Sequence, residues 1–178
     1  LNTARYNAGG NGIQTSAMYY GGPSAVTETW DGTSWTEVAD LNEGRQYGAG
    51  VGPSTSAAQY TGGEDPGSSA INSSETWNGS SWTEVANLNT GRRALGGSGN
   101  SSLGLVFAGS EPSASDKTEK WDGSSWAEVN DLSIARTNIT ASGSATAGLA
   151  AAGLVGTTVQ SVTEEFTSLT QNQTITIG

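Results

Sequence analysis

The sequence predicts an all-β chain folded as a β-propeller of about four blades, each blade made of four short strands. Two observations carry that expectation. One is a repeat: Glu28-Thr29-Trp30-Asp31-Gly32-Thr33-Ser34-Trp35-Thr36-Glu37-Val38 returns from Glu75 to Val85 and from Glu119 to Val129, and a shortened copy stands at Glu164-Glu165-Phe166. The other is punctuation. Glycine or short polar residues interrupt the chain roughly every 8–12 positions, which leaves no room for a long helix, and no stretch shows a 3.6-residue period.

The repeat divides the chain into units 1–40, 41–87, 88–131 and 132–178, opening at Leu1, Leu41, Leu88 and Leu132, with Arg5, Arg45, Arg92 and Arg136 in step. These units account for all 178 residues as one domain, with no linker. In the second unit strand A is expected near 46–52, strand B near 57–62, strand C near 73–77 and strand D near 81–86. Asp-Gly or Asn-Gly between the two tryptophans signals a hairpin, since Asn and Asp tolerate left-handed backbone and Gly has no Cβ to clash. Trp77 and Trp82 then share one face as cross-strand neighbours, and so do Trp30 with Trp35 and Trp121 with Trp126. All six are expected to lie mostly buried between blades, bulk on one blade facing glycine backbone on the next. In the last unit the alternating segment 172–177 serves as an irregular strand D.

Composition narrows the functions. There are 17 acidic and 7 basic residues, a net charge of −10, no His and no Cys. That balance argues against nucleic acid and anionic membrane as partners, because both need clustered Lys and Arg. The missing His and Cys remove the commonest neutral-pH acid/base, thiolate nucleophiles, disulfides, zinc-thiolate sites and iron–sulfur clusters. No apolar run approaches the ~20 residues of a membrane-spanning helix, so membrane insertion is not expected. No cofactor is implied.

The unit resembles a kelch repeat, the blade type also found in the central domain of galactose oxidase. The family's Arg entering strand A is matched by Arg5, Arg45, Arg92 and Arg136. Its Gly-Gly closing strand B is matched by Gly21-Gly22 and Gly62-Gly63 and weakens to Ala108-Gly109 and Ala152-Gly153. Its strand C Tyr is replaced by Trp30, Trp77, Trp121 and Phe166, and its strand D Trp is matched by Trp35, Trp82 and Trp126. The resemblance covers the whole chain and speaks to fold rather than function. Kelch propellers usually have five to seven blades. Four units therefore mean either a small ring or further blades upstream or in another copy.

Galactose oxidase chemistry needs copper-binding His and a Tyr–Cys cofactor, which this chain lacks. Trp-Asp-Gly-Thr-Ser-Trp faintly resembles the Asp-box of sialidases, whose arginine cluster the four repeated arginines could in principle supply. A structural reading competes with that one. Glu28, Glu75, Glu119 and Glu164 stand two residues before the strand C aromatic, on its face, and a buried carboxylate needs a cation. One Arg and one Glu per unit therefore suggest a repeated structural ion pair. Glu64, Asp65 and Glu111 lie in loops after strand B without a calcium-loop pattern, so no metal site is assigned. The sequons at Asn72, Asn78, Asn100, Asn138 and Asn172 are near chance in a chain with 46 Ser and Thr.

The connections between strands B and C vary while the frame repeats, and variable loops on a fixed scaffold are where recognition is expected. The candidate binding residues are Glu64, Asp65, Ser68 and Ser69, with Ser110, Glu111, Ser113, Asp116 and Lys117. No catalytic residue is assigned. The near-identical Glu-Thr-Trp-Asn/Asp-Gly-Ser-Ser-Trp units look like those of phage virion proteins. That likeness implies a non-enzymatic tail-fibre, tail-tip or capsid-decorating propeller, in the virion or outside the cell, that binds a host-surface glycan, other virion proteins or copies of itself. A bacterial extracellular or cell-surface adhesion propeller is the alternative, and a sialidase-like glycosidase a third. The degraded last unit, or the tail 170–178, is expected to contact another chain or a longer part of the same protein.

Overall fold

Short strands separated by tight turns build four antiparallel sheets in the computed structural model, which describes residues 1–168 and 173–177. The first sheet is β1 (Gly9–Ile13), β2 (Ser16–Tyr20), β3 (Thr27–Trp30) and β4 (Trp35–Glu37), in that order. The second is β5 (Ala49–Ser54), β6 (Ala57–Thr61), β7 (Ser74–Trp77) and β8 (Trp82–Val85). The third joins β9 (Gly96–Gly99), β10 (Gly104–Phe107), β13 (Thr118–Trp121) and β14 (Trp126–Glu128). A small hairpin of β11 (Ser110–Glu111) and β12 (Ser113–Ala114) is inserted before its third strand. The fourth joins β15 (Thr140–Gly143), β16 (Ala147–Ala151), β19 (Thr163–Ser168) and β20 (Gln173–Ile177), with the insert β17 (Leu154–Val155) and β18 (Thr158–Val159). The described residues contain no helix. The fold is a β-propeller of four blades.

The expected strands of the second unit are found, with strand A starting later because Gln46 is drawn into a bridge with Glu64. Each tryptophan pair sits directly across its hairpin: Trp30 opposite Trp35, Trp77 opposite Trp82 and Trp121 opposite Trp126. The loops have four residues. Asp31, Asn78 and Asp122 each accept, at Oδ1, the backbone N–H groups two and three residues on, at 2.8–3.0 Å. The following glycine, such as Gly79 at φ +100°, takes a conformation that a side chain would strain. In the fourth blade Phe166 pairs with Ile175, so Ile175 holds the register position of the missing second tryptophan. Of the tail, 173–177 form β20, whereas 170–172, with the Asn172 sequon, and Gly178 lie outside the described residues.

Successive blades meet face to face. The trailing face of each blade carries the tryptophan pair, and the leading face of the blade before it receives them. Trp82 lies 4.9 Å from Tyr20 of the first blade, centroid to centroid, and donates its indole N–H to Thr27 at 3.0 Å. Gly9 and Gly50 of the inner strands, and Gly48 just before β5, lie against the rings of Tyr20 and Tyr60, so glycine backbone meets tyrosine rather than the expected tryptophan. Three apolar clusters fill the three junctions.

The inner strands pack in the order β1 on β5, β5 on β9 and β9 on β15, and no comparable packing joins β15 back to β1 among the described residues. This corrects one expectation. Trp77, Trp82, Trp121 and Trp126 are buried, but Trp30 and Trp35 are only half-buried, because among the described residues no blade covers the trailing face of the first sheet.

Candidate functional site on the axial face

Each repeated arginine is buried beside its own blade's glutamate. Arg5 reaches Glu28 at 2.5 Å, Arg92 reaches Glu119 at 2.7 Å, Arg136 reaches Glu164 at 2.5 Å, and Arg45 pairs with Glu75. The glutamate also accepts the N–H of the residue after each unit's opening leucine: Asn2 at 2.6 Å, Asn42 and Asn89 at 2.8 Å, Ser133 at 2.7 Å. Burial works against the charged form of Glu28. The bonds from Asn2, Arg5 and Thr3 outweigh it and hold the carboxyl below its ordinary range. These groups are framework: each guanidinium is paired with a carboxylate of its own blade.

The residues just after those arginines are a different matter. Tyr6-Asn7, Gln46-Tyr47, Arg93-Ala94 and Thr137-Asn138 occupy one equivalent position in four blades, at the inner-strand entrance. The second of each pair has left-handed backbone, with φ from +54° to +58°. That conformation lets each hand on a hydrogen bond around the axis. Tyr47 N–H donates to Asn7 C=O at 2.8 Å, Ala94 N–H to Tyr47 C=O at 2.8 Å, and Asn138 N–H to Ala94 C=O at 2.9 Å.

All of these residues except Asn7 line an open funnel of about 440 Å³, to which the B–C connections add Glu64 and Ser110. Glu64 is only 5% exposed. It pairs with Arg93 of the next blade and accepts a bond from Gln46 Nε2 at 3.1 Å. Asn7 Nδ2 in turn donates to Gln46 Oε1 at 3.5 Å, so a polar chain crosses three blades. Arg93 keeps 40% of its side chain exposed. The funnel thus offers two tyrosines, an ion-paired guanidinium, amides and hydroxyls, in a setting whose charges cancel.

The sequence-derived loop residues divide. Glu64 and Ser110 reach the funnel. Asp65 folds back, its carboxylate accepting Ser69 N–H at 2.8 Å, while Ser68 and Ser69 are exposed on the rim. Glu111 and Ser113 sit on the β11–β12 hairpin, exposed. Asp116 accepts Leu132 N–H through its carbonyl, and Lys117 bonds Glu128 at 2.5 Å, which raises its pKa. Tyr6, Gln46, Tyr47, Arg93, Thr137 and Asn138 escaped the sequence reading. Their signal was available: the position after a repeated arginine differs in every unit.

No protein-family model matches the chain, and no curated protein does. Among solved structures it is similar to the structure of YjhT, at 13% identity with a TM-score of 0.71. The match covers 85% of this chain and 52% of that one, so the chain spans about half the length of that structure. At that identity the likeness is one of fold alone.

Proposed function

We propose that this propeller is a non-enzymatic recognition module, displayed on a virus particle, which binds a hydroxyl-rich ligand such as a host-surface glycan in its axial funnel. The observation that carries the reading is the funnel itself. Four equivalent positions on a repeated frame present four different side-chain pairs. Framework positions repeat because packing demands it, so divergence gathered around one cavity is what selection for a ligand produces. Tyr6 and Tyr47 supply flat faces for sugar rings, and Gln46, Ser110, Thr137 and Asn138 supply donors and acceptors. A neutral ligand is favoured, because Arg93 is already neutralised by Glu64.

Hydrolysis is not favoured. Glu64, the funnel's one carboxylate among the described residues, is held by Arg93, and the repeated arginines that a sialidase-like cluster would need are buried against their own glutamates. The repeated virion-like Trp-Asp/Asn-Gly-Ser-Ser-Trp units support placement on a particle. The test is adsorption of labelled protein to host cells, with Tyr47→Ala and Arg93→Ala compared with the parent. Loss of adsorption at retained stability supports the reading. Unchanged adsorption by both variants overturns it. Immunogold labelling of purified particles tests the placement.

A further inference from the structure

We infer that the two ends of the four-blade arc are docking faces for a second copy of this chain, the first blade of one copy seating on the fourth blade of another. The inference stands on the blade junctions and is independent of any ligand in the funnel.

Each internal junction joins a trailing face to a leading face, and among the described residues nothing covers the trailing face of the first blade or the leading face of the fourth. On the leading side, Met18, Gln59 and Leu105 occupy one equivalent position in the first three blades and are at most 2% exposed; Leu149, at that position in the fourth, is 37% exposed. On the trailing side, Trp77 and Trp121 are at most 3% exposed, while Trp30 is half-buried. One end therefore lacks the tryptophan pair that the other displays.

The backbone tells the same story. Two series of hydrogen bonds cross every junction. In one, Gly22, Gly63 and Gly109 donate their N–H groups to the carbonyls of Arg45, Arg92 and Arg136 at 2.8–3.0 Å. In the other, Tyr47, Ala94 and Asn138 donate to Asn7, Tyr47 and Ala94. Both series stop at the ends. Among the described residues Gly153 N–H and Asn138 C=O have no partner at the fourth blade, and Arg5 C=O and Asn7 N–H have none at the first. Backbone groups left unpaired are costly once a covering partner buries them. Here each donor at one end faces an acceptor of the same series at the other, so a second copy repeats the internal junction bond for bond. The arc also matches half of a longer propeller chain, the share that leaves room for a second arc. A head-to-tail contact of this kind is heterologous: it closes a ring or propagates.

The test uses sedimentation of the parent chain and of Trp30→Glu and Leu149→Glu, one blocked at each end, with near-ultraviolet circular dichroism confirming that each is folded. Association of the parent, a tenfold or greater weakening in each variant alone, and renewed heterodimer formation when the two variants are mixed are the expected results. Mixing leaves one intact first-blade face opposite one intact fourth-blade face, so rescue is specific to head-to-tail seating. A parent that stays monomeric through the micromolar range, or variants that mixing fails to rescue, overturns the inference. The ends would then be covered by blades of a longer polypeptide or by a different protein.

Discussion

Replacing Arg92 by alanine removes the best-connected of the three fully buried framework arginines, Arg45, Arg92 and Arg136. Its Nη2 donates to Glu119 at 2.7 Å, and its Nη1 donates to the carbonyls of Ala108 at 2.6 Å and Lys117 at 2.8 Å. Arg92 has no exposed surface and Glu119 is 1% exposed. The truncation strands that carboxylate in the interior with only the Asn89 backbone and side-chain N–H groups left to it. Breaking one partner of a buried pair costs about 3–5 kcal/mol. For a chain of this length that is a fall in Tm of about 6–20 °C. Differential scanning calorimetry measures it. The double variant Arg92→Met/Glu119→Leu removes both charges at similar volume and is expected to regain more than half of the loss. If Arg92→Ala costs less than about 1 kcal/mol, the range of an exposed pair, or if the double variant is no better than the single one, the buried-framework argument fails.

Three further outcomes are expected. Hydrogen bonds from Thr33 and Ser34 hold Asp31 at about 2, and those from Ser125 and Ser124 hold Asp122 at about 2, both below the ordinary value of 3.8. A lowered folded pKa gives stability that is complete above the unfolded value and lost as pH falls through the folded one. Melts between pH 5 and pH 2 should therefore show a decline that Asp31→Asn/Asp122→Asn flattens, Asn78 being the natural non-titrating version of the same turn; an unchanged slope would count against it. Gly48→Ala places a Cβ 2.7 Å and 2.8 Å from the Tyr60 ring and 3.0 Å from Gly62 O, so it should destabilise by about 1–3 kcal/mol in urea titration. Trp77→Ala should cost about 3–5 kcal/mol, and Trp30→Ala clearly less in dilute, monomeric protein; equal losses would mean that the first blade is covered after all.

Much of the frame was legible because it is local or repeated. The Asp/Asn-Gly turns, the tryptophan register and the Arg–Glu pairing each follow from spacing within one unit, and the repeat displays the first two three times and the third four times. Glu64 stands in a variable loop of the sequence, yet it is buried, because the Gln46–Glu64 bridge tucks it under Arg93 of the next blade. That contact is set by the rotation between blades, which no single unit encodes. The same holds for Trp30 and Trp35. Their sequence context matches that of Trp77 and Trp82, and they differ because no blade packs on them among the described residues.

The most direct test of the recognition site sets the axis against the rim. Host-cell adsorption is measured for the parent, for Tyr47→Ala/Arg93→Ala, and for a variant whose rim segments 66–69 and 111–114 are replaced by Gly-Ser linkers, leaving Glu64 and Ser110 in place. The axial variant should lose adsorption while the rim variant retains it. Retention by the axial variant with loss in the rim variant would move the binding site from the funnel to the loops and contradict the account.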